Sequence, residues 1–222
     1  MKPTCIELVK PTFLEYDVDF DRFHHLHPSG YRLITNWFSR AWRRIGDAPA
    51  TSFDPFIYTW IAFNGWASCV TGLEIDAKWC KALSISPELC ERFDELANNP
   101  ATSLHGHLQQ FYTLWPIFKA SEIRTKSAFS FNTHHRPEMV DYFFSAGIEN
   151  FEPKCWQIHK QKGEPVPLDW PHTLAVLYRV RCNLFHGEKG VDSEMDVKIV
   201  HLSFQVLARF LKEINWMQSS RS

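Results

Sequence analysis

The stretch VKIVHLSFQVLARFLKEI, residues 197–214, shows most clearly how this chain folds. Its apolar side chains recur at alternating steps of three and four residues, which is the spacing of one face of an α helix. The residues of this seam are Val197, Val200, Phe204, Leu207, Leu211 and Ile214. The pattern predicts a helix of about five turns. A narrow apolar seam of this kind packs either into the core of its own chain or against a second copy.

Helical patterns also dominate the chain before this segment. Asp54 and Pro55 combine a capping residue with proline at the first helical position, and Gly187 follows another apolar stripe as a stop signal. Further helices are predicted over residues 31–46, 54–71, 75–84, 86–98, 103–115, 137–146 and 170–185. The sequence therefore predicts an all-α protein, arranged as an antiparallel helical bundle.

A few segments lack a helical pattern. Residues 1–30 read as an irregular N-terminal arm, in which the DVDFD of residues 17–21 alternates like a strand. Residues 119–135 are poorly patterned and locally basic, and residues 149–167 are predicted to form a loop. No repeat or low-complexity tract divides the chain, so residues 1–222 are interpreted as a single domain.

Composition narrows the class of protein. The 222 residues are 45% hydrophobic and 22% charged, which excludes disordered and fibrous classes, and a net charge of -1 gives no general attraction to nucleic acid. The six cysteines form no C-x-x-C pair and the first residues do not resemble a signal peptide, which predicts free thiols and a cytoplasmic protein. Polar residues interrupt the uncharged run 55–73, which therefore predicts a buried helix and no membrane partner.

An unusual set of polar residues surrounds one predicted helix end. The segment LYRVRCNLFHGEKG, residues 177–190, contains a single acid, Glu188. The other polar candidates there are Arg179, Arg181, Asn183, His186 and Lys189. Cations at a helix C-terminus stabilise its dipole, and this is the purely structural interpretation. A site that binds and cleaves a phosphodiester is the functional one.

Two short segments resemble one known family. RCNLFHG, residues 181–187, resembles the R-x-x-x-x-H signature of RNA-cleaving HEPN-domain proteins, and WIAFNGW, residues 60–66, resembles a W-x-A-F-N stretch of one HEPN subgroup. The resemblance implies an HEPN-like bundle in which residues 75–168 are a family-variable helical insertion. The chain departs from the family at Cys182, where a polar residue usually follows the arginine.

The resemblance implies a metal-independent endoribonuclease without a cofactor. In such a reaction the RNA 2′-OH attacks the adjacent phosphate and leaves 2′,3′-cyclic phosphate and 5′-OH ends. Histidine suits the proton transfers, so His186 is the candidate acid and base. Arginine suits the phosphate, so Arg181 is the candidate that stabilises its charge, with Asn183 assisting. Arg179 and Lys189 are candidate substrate-binding residues, although Arg179 is equally suited to an ion pair with an acid on a neighbouring element.

Helix geometry constrains this site. Five residues separate Arg181 from His186 by about 7.5 Å of rise and roughly 140° of rotation. Either the helix deforms near Gly187, or two chains contribute to one cleft. The resemblance implies the second arrangement, a homodimer with a composite active site. It also implies RNA as substrate, a setting in bacterial defence or toxin systems, and a cognate inhibitor or regulatory protein as a further partner.

The sequence also allows functions other than RNA cleavage. The chain could instead be a non-catalytic HEPN-like module that binds RNA or nucleotide or mediates dimerisation, and Cys182 favours this alternative. Asn64 lies in a buried apolar helix and must find hydrogen-bond partners, either within the core or at the cleft. Histidines 24, 25 and 27, or 105 and 107, lack the companion ligands of known metal motifs, so no metal site is predicted.

Overall fold

The computed structural model describes residues 17–126, 135–187 and 189–216. Within these ranges the chain forms eleven α helices, a short 3-10 helix at Pro49–Thr51 and a two-stranded antiparallel sheet. The helices are α1 (Asp21–His24), α2 (Pro28–Trp42), α3 (Phe53–Thr71), α4 (Asp76–Ser84), α5 (Pro87–Ala97), α6 (Ser103–Tyr112), α7 (Ala120–Lys126), α8 (Arg136–Ser145), α9 (Trp156–Lys162), α10 (Trp170–Phe185) and α11 (Glu194–Glu213). The strands are β1 (Ile117–Phe118) and β2 (Phe151–Glu152). The predicted all-α class is confirmed.

Aromatic side chains form much of the main core. Helix α3 packs against α1, α2, α4 and α11, and it carries apolar residues on nearly every side. The ring of Phe63 on α3 lies 5.3 Å from that of Trp79 on α4 and 6.5 Å from that of Trp170 on α10. The indole of Trp170 also donates a hydrogen bond of 2.9 Å to the carbonyl of Leu83. Helices α3, α4 and α10 are therefore joined at fixed positions by large buried rings.

Helix α11 buries apolar side chains on more of its surface than the predicted narrow seam. Val200, Phe204, Leu207 and Leu211 are buried as the heptad pattern predicts. However, apolar residues between them are buried as well, namely Ile199, Leu202, Val206 and Phe210. The helix packs against α2, α3, α6 and α10 of its own chain. The prediction of a narrow seam is therefore wrong, and these side chains pack into the core instead of forming a surface for a second copy.

The sequence misplaced several short elements. Residues 17–21 are not a strand, because Arg22 pairs with the carboxylates of Asp17 and Asp19 and a helical turn begins at Asp21. The predicted loop 149–167 contains β2 and α9, and the poorly patterned region after residue 119 begins with α7. The remainder of that region, residues 127–134, and residues 1–16 of the arm lie outside the described residues. These short elements lack a periodic sequence signal and depend on tertiary contacts.

A second, smaller core surrounds the sheet. Phe118 of β1, Phe151 of β2 and Phe143 of α8 pack together, with the Phe118 ring 5.1 Å from that of Phe143. β1 pairs with β2 through Ile117 opposite Glu152 and Phe118 opposite Phe151. This small unit lies against α10, which contacts both strands. None of the helices in the described ranges combines the length and the apolar character that a membrane span requires.

The start of α10 is fixed by Asp169 and His172. The Asp169 carboxylate accepts a hydrogen bond of 2.9 Å from the backbone N–H of His172 and lies 2.5 Å from Nδ1 of the same residue. Burial alone lowers the pKa of His172, but its hydrogen bonds with Asp169 and the Cys155 sulfur, together with the charge of Asp169, more than offset it and raise the pKa to about 10. The imidazole is therefore held in its charged form at neutral pH.

We expect His172 to stabilise the fold at neutral pH and to lose this effect in alkali. Because its folded pKa lies above the unfolded value of about 6.5, the stabilisation is complete below that value and falls as the pH rises toward the folded pKa. Urea unfolding should give a higher free energy of unfolding for the wild type than for His172→Gln at neutral pH, and this difference should narrow as the pH rises. Asp169→Asn keeps the cap acceptor but removes the charge, and should behave similarly. A difference that stays constant with pH would contradict this assignment.

Candidate functional site

Helix α10 carries the predicted site and remains regular to its end. The backbone N–H of His186 donates a hydrogen bond of 3.1 Å to the carbonyl of Cys182, four residues earlier. Gly187 then takes a left-handed conformation with φ of 67°, which ends the helix. The deformation that would bring Arg181 and His186 together within one chain is therefore not observed. The two side chains leave different sides of α10, roughly 140° apart.

The Arg181 guanidinium lies beside a carboxylate that the sequence analysis missed. Its Nη2 lies 2.8 Å from Oδ2 of Asp76, and each of the two side chains is 22% exposed. The other carboxylate oxygen of Asp76 accepts a hydrogen bond of 3.3 Å from the side-chain amide of Asn64. Asp76 is the first residue of α4, where an acid is ordinarily explained by the helix dipole. Nothing in the local sequence distinguishes it as a partner of Arg181.

The two segments that carry the family resemblance meet at this ion pair. Trp60 and Asn64 belong to the segment 60–66, and Arg181 belongs to the segment 181–187. The Arg181 guanidinium carbon is 5.9 Å from the centre of the Trp60 ring, and Asn64 contacts the same Asp76 carboxylate as Arg181. The fold thus assembles residues from α3, α4 and α10 into one cluster at the edge of the main core.

Aromatic rings and a cysteine sulfur also surround the guanidinium of Arg181. The ring centre of Phe185, which is 47% exposed, lies 4.7 Å from the guanidinium carbon, and that of Tyr178 lies at 6.0 Å. The Cys182 sulfur is 4.0 Å from Nη1 of Arg181. Burial, together with the nearby Cys182 sulfur, raises the pKa of Tyr178 to about 12, so its hydroxyl stays protonated at neutral pH. Stacking and a single carboxylate therefore hold the guanidinium in place.

His186 differs from the other predicted site residues because its side chain is exposed. It caps the C-terminus of α10, and within the described part of the chain its ring has no hydrogen-bond or ion-pair partner. An exposed imidazole at this position is accessible to a substrate. It can exchange protons with solvent or with a bound group.

Asn183 has a structural role in this conformation. Its side chain is 1% exposed, its Oδ1 accepts a hydrogen bond of 3.2 Å from the N–H of Ala120, and its Nδ2 donates one of 2.8 Å to the carbonyl of Phe118. The amide therefore joins α10 to the end of β1 and the start of α7. A buried side chain in this position does not reach a substrate, so the structure gives no support to the predicted assisting role of Asn183.

The two predicted substrate-binding cations have acidic neighbours. Arg179 lies 3.8 Å from the carboxylate of Glu152 on β2, and both side chains are 19% exposed. The Lys189 amine lies 2.5 Å from the carboxylate of Asp196 on α11 and is 8% exposed. Of the two alternatives for Arg179, the ion pair is the one observed. Across the described residues, no group of three or more His, Cys, Asp and Glu side chains is placed to hold a metal ion.

We expect Asn183→Leu to destabilise the chain by roughly 2 kcal/mol or more, because it leaves a buried N–H and a buried carbonyl without partners. The control Asn98→Leu removes an exposed amide that bonds the carbonyl of Asp94, and should change stability by less than about 0.5 kcal/mol. Urea unfolding measures both. If Asn183→Leu were as stable as the wild type but defective in RNA cleavage, the amide would serve the substrate instead of the fold.

Comparison of the chain with protein-family models, with curated proteins and with solved structures finds no significant match. The resemblance to HEPN-domain proteins therefore rests on the two short segments 60–66 and 181–187 alone.

Proposed function

We propose that this chain is a metal-independent endoribonuclease of the HEPN type that acts as a homodimer. One observation carries the proposal: two segments far apart in sequence, each similar to an HEPN segment, supply Asn64 and Arg181 to one partly exposed carboxylate. An exposed imidazole, that of His186, follows on the same helix. One helix therefore carries a phosphate-binding group and a proton-transfer group, on different sides.

The chemistry assigns one task to each of two side chains. Arg181 binds the scissile phosphate and stabilises the charge that develops on it, because its guanidinium is always charged and presents several donors. His186 transfers protons between the 2′-OH, the leaving 5′ oxygen and solvent. Asp76 orients the guanidinium through Nη2, which leaves other N–H donors for a phosphate oxygen. The products are a 2′,3′-cyclic phosphate and a 5′-OH end.

Two chains are required because α10 is regular. Arg181 and His186 of one chain leave the helix in different directions, so a phosphate touched by both needs Arg181 from one subunit and His186 from the other. Exposed apolar side chains beside the ion pair suit an interface: Phe185 lies over Arg181, and Ile75, which is 55% exposed, precedes Asp76. The cleft formed in this way is the composite site that the proposal requires.

The proposed setting is the cytoplasm, where RNA is available and thiols stay reduced. The described cysteines, which are Cys69, Cys80, Cys90, Cys155 and Cys182, are all free. A bacterial defence or toxin system, with a cognate inhibitor or regulatory protein that restrains cleavage, belongs to the same proposal. It follows from the family resemblance alone.

A second candidate function is a non-catalytic module that binds RNA or nucleotide, or mediates dimerisation. A specific observation favours it: Arg179, Arg181 and Lys189 each lie next to a carboxylate. A phosphate must compete with these acids for the cations. Cys182, in the place of a polar residue, supports the same candidate.

We expect purified wild-type protein to cleave labelled RNA in EDTA and to leave cyclic-phosphate ends. His186→Ala should reduce the rate by at least about 100-fold through loss of proton transfer. Arg181→Ala should reduce it by about 100-fold or more through loss of charge stabilisation. The exposed residues His25 and Arg92 provide the controls His25→Ala and Arg92→Ala, which should cleave like the wild type. Wild type that binds RNA but leaves it intact would establish the non-catalytic module.

Mixing the two inactive variants tests the composite cleft. A dimer of one His186→Ala chain and one Arg181→Ala chain contains one intact pair, so the mixture should regain cleavage. A site contained within one chain predicts no recovery. The solution mass provides an independent measurement, and a strict monomer at the concentrations of the cleavage assay would contradict the shared site.

A further inference from the structure

A cavity of about 370 Å³ lies where α7, α8 and the start of α11 meet β1. This volume falls within the range of roughly 300–1,000 Å³ that is usual for small-molecule sites. Its apolar wall includes the rings of Phe118 and Phe143 and the side chain of Met139. Its polar wall includes three cations, which are Arg124, Arg136 and Lys189. The cavity is separate from the Arg181–Asp76 pair, because neither of those residues lines it.

Arg136 is the most unusual of these cations. Its Nε and Nη2 donate hydrogen bonds of 3.1 and 2.7 Å to the carbonyl of Leu114, and Nη2 also contacts the carbonyl of Pro116. These partners are neutral, and no ion pair joins the guanidinium to a carboxylate of the described residues. Burial lowers its pKa to about 10, and the charge of Asp196, which lines the same cavity, opposes that shift, so the group stays charged at neutral pH. A partly buried cation without a directly paired carboxylate is costly unless a further anion comes near it.

The acids in the wall do not balance the cations. Asp196 is held by the Lys189 amine at 2.5 Å and by the N–H of Gly190 at 3.0 Å. The only other carboxylate in the described wall is that of Asp192, which is exposed. Arg124 is exposed as well, and its Nη2 donates a hydrogen bond of 3.4 Å to the carbonyl of Gly187. Among the described residues of the wall, three cations against two acids give a net positive charge.

We propose that this cavity binds the phosphate of a ribonucleotide, with Arg124 and Arg136 as donors and the base against the apolar side of the cavity, where Met195 is partly exposed. Guanidinium groups suit phosphate oxygens, and an apolar wall suits the flat face of a base. Arg124 contacts Gly187, the neighbour of His186, so the bound nucleotide lies beside the end of α10. The nucleotide comes either from a free nucleoside monophosphate or from an RNA strand. The proposal goes beyond RNA cleavage and does not depend on it.

Calorimetric titration of the full chain with AMP at low salt tests the site. Arg124→Gln should weaken AMP binding by about tenfold, because one charge-assisted contact is lost. Arg92→Gln is the matched control, since Arg92 is exposed on α5 and pairs with Glu95, and it should bind like the wild type. Met195→Trp, which fills the cavity from its partly exposed wall, should also abolish or weaken binding. Urea unfolding of each variant establishes that it is folded.

A parallel titration with a short 2′-O-methyl RNA distinguishes the two sources. This RNA lacks the 2′-OH and stays intact, so its binding is independent of any cleavage by Arg181 and His186. If Arg124→Gln weakens only AMP binding, the site takes a free nucleotide. If it weakens only RNA binding, the site takes a nucleotide of the RNA strand. If it weakens the binding of both ligands, the site recognises the phosphate and base that the two ligands share. The proposal is overturned if neither ligand binds at millimolar concentration, or if all variants bind both ligands like the wild type.

Discussion

The Asp76 carboxylate is the contact on which the arrangement of the candidate site depends. It accepts from Asn64 of α3, pairs with Arg181 of α10 and itself begins α4, so three helices meet at one side chain. Each member of the ion pair is 22% exposed, and pairs near a surface contribute little to stability. The large buried rings of Trp79 and Trp170 hold these helices together instead. The carboxylate therefore positions the guanidinium on a scaffold that the aromatic core has already fixed.

The long helices could be predicted from sequence because their signals are local. An apolar stripe that ends before Gly187 predicts a helix over residues 170–185, and α10 has these bounds. Asp169 caps its start, and Gly187 ends it. Helix α9 was missed because it has seven residues, no side-chain cap and no fully buried face. The prediction of a narrow seam for α11 was wrong for a different reason. Other helices pack against α11 on several sides, and the periodicity of its apolar residues does not show how many helices surround it.

The partners of the site residues could not be predicted, because each comes from a distant element. The residues of α10 meet acids from three places: Arg181 meets Asp76 of α4, Arg179 meets Glu152 of β2, and Lys189, just beyond the helix, meets Asp196 of α11. The sequence showed the cations as a cluster with one opposing acid, Glu188. The fold supplies three more. These three acids offset the positive charge that the segment 177–190 shows by itself.

The identity of residue 182 affects how the Arg181 guanidinium is held. A polar side chain directly after Arg181 would be a second hydrogen-bond acceptor or donor beside the guanidinium, whereas a cysteine sulfur, here 4.0 Å from Nη1, interacts only weakly. Asp76 is then the one strong partner that orients Arg181 among the described residues. Nε is buried, so the N–H groups of Nη1 are the donors that keep their capacity for a phosphate oxygen. The guanidinium of Arg181 is thus oriented by a carboxylate supplied by α4 and not by its neighbour in sequence. Among the described residues, Asp76 is the carboxylate with which an anion at Arg181 would have to compete, so the strength of the Arg181–Asp76 pair sets how readily the site accepts an anion.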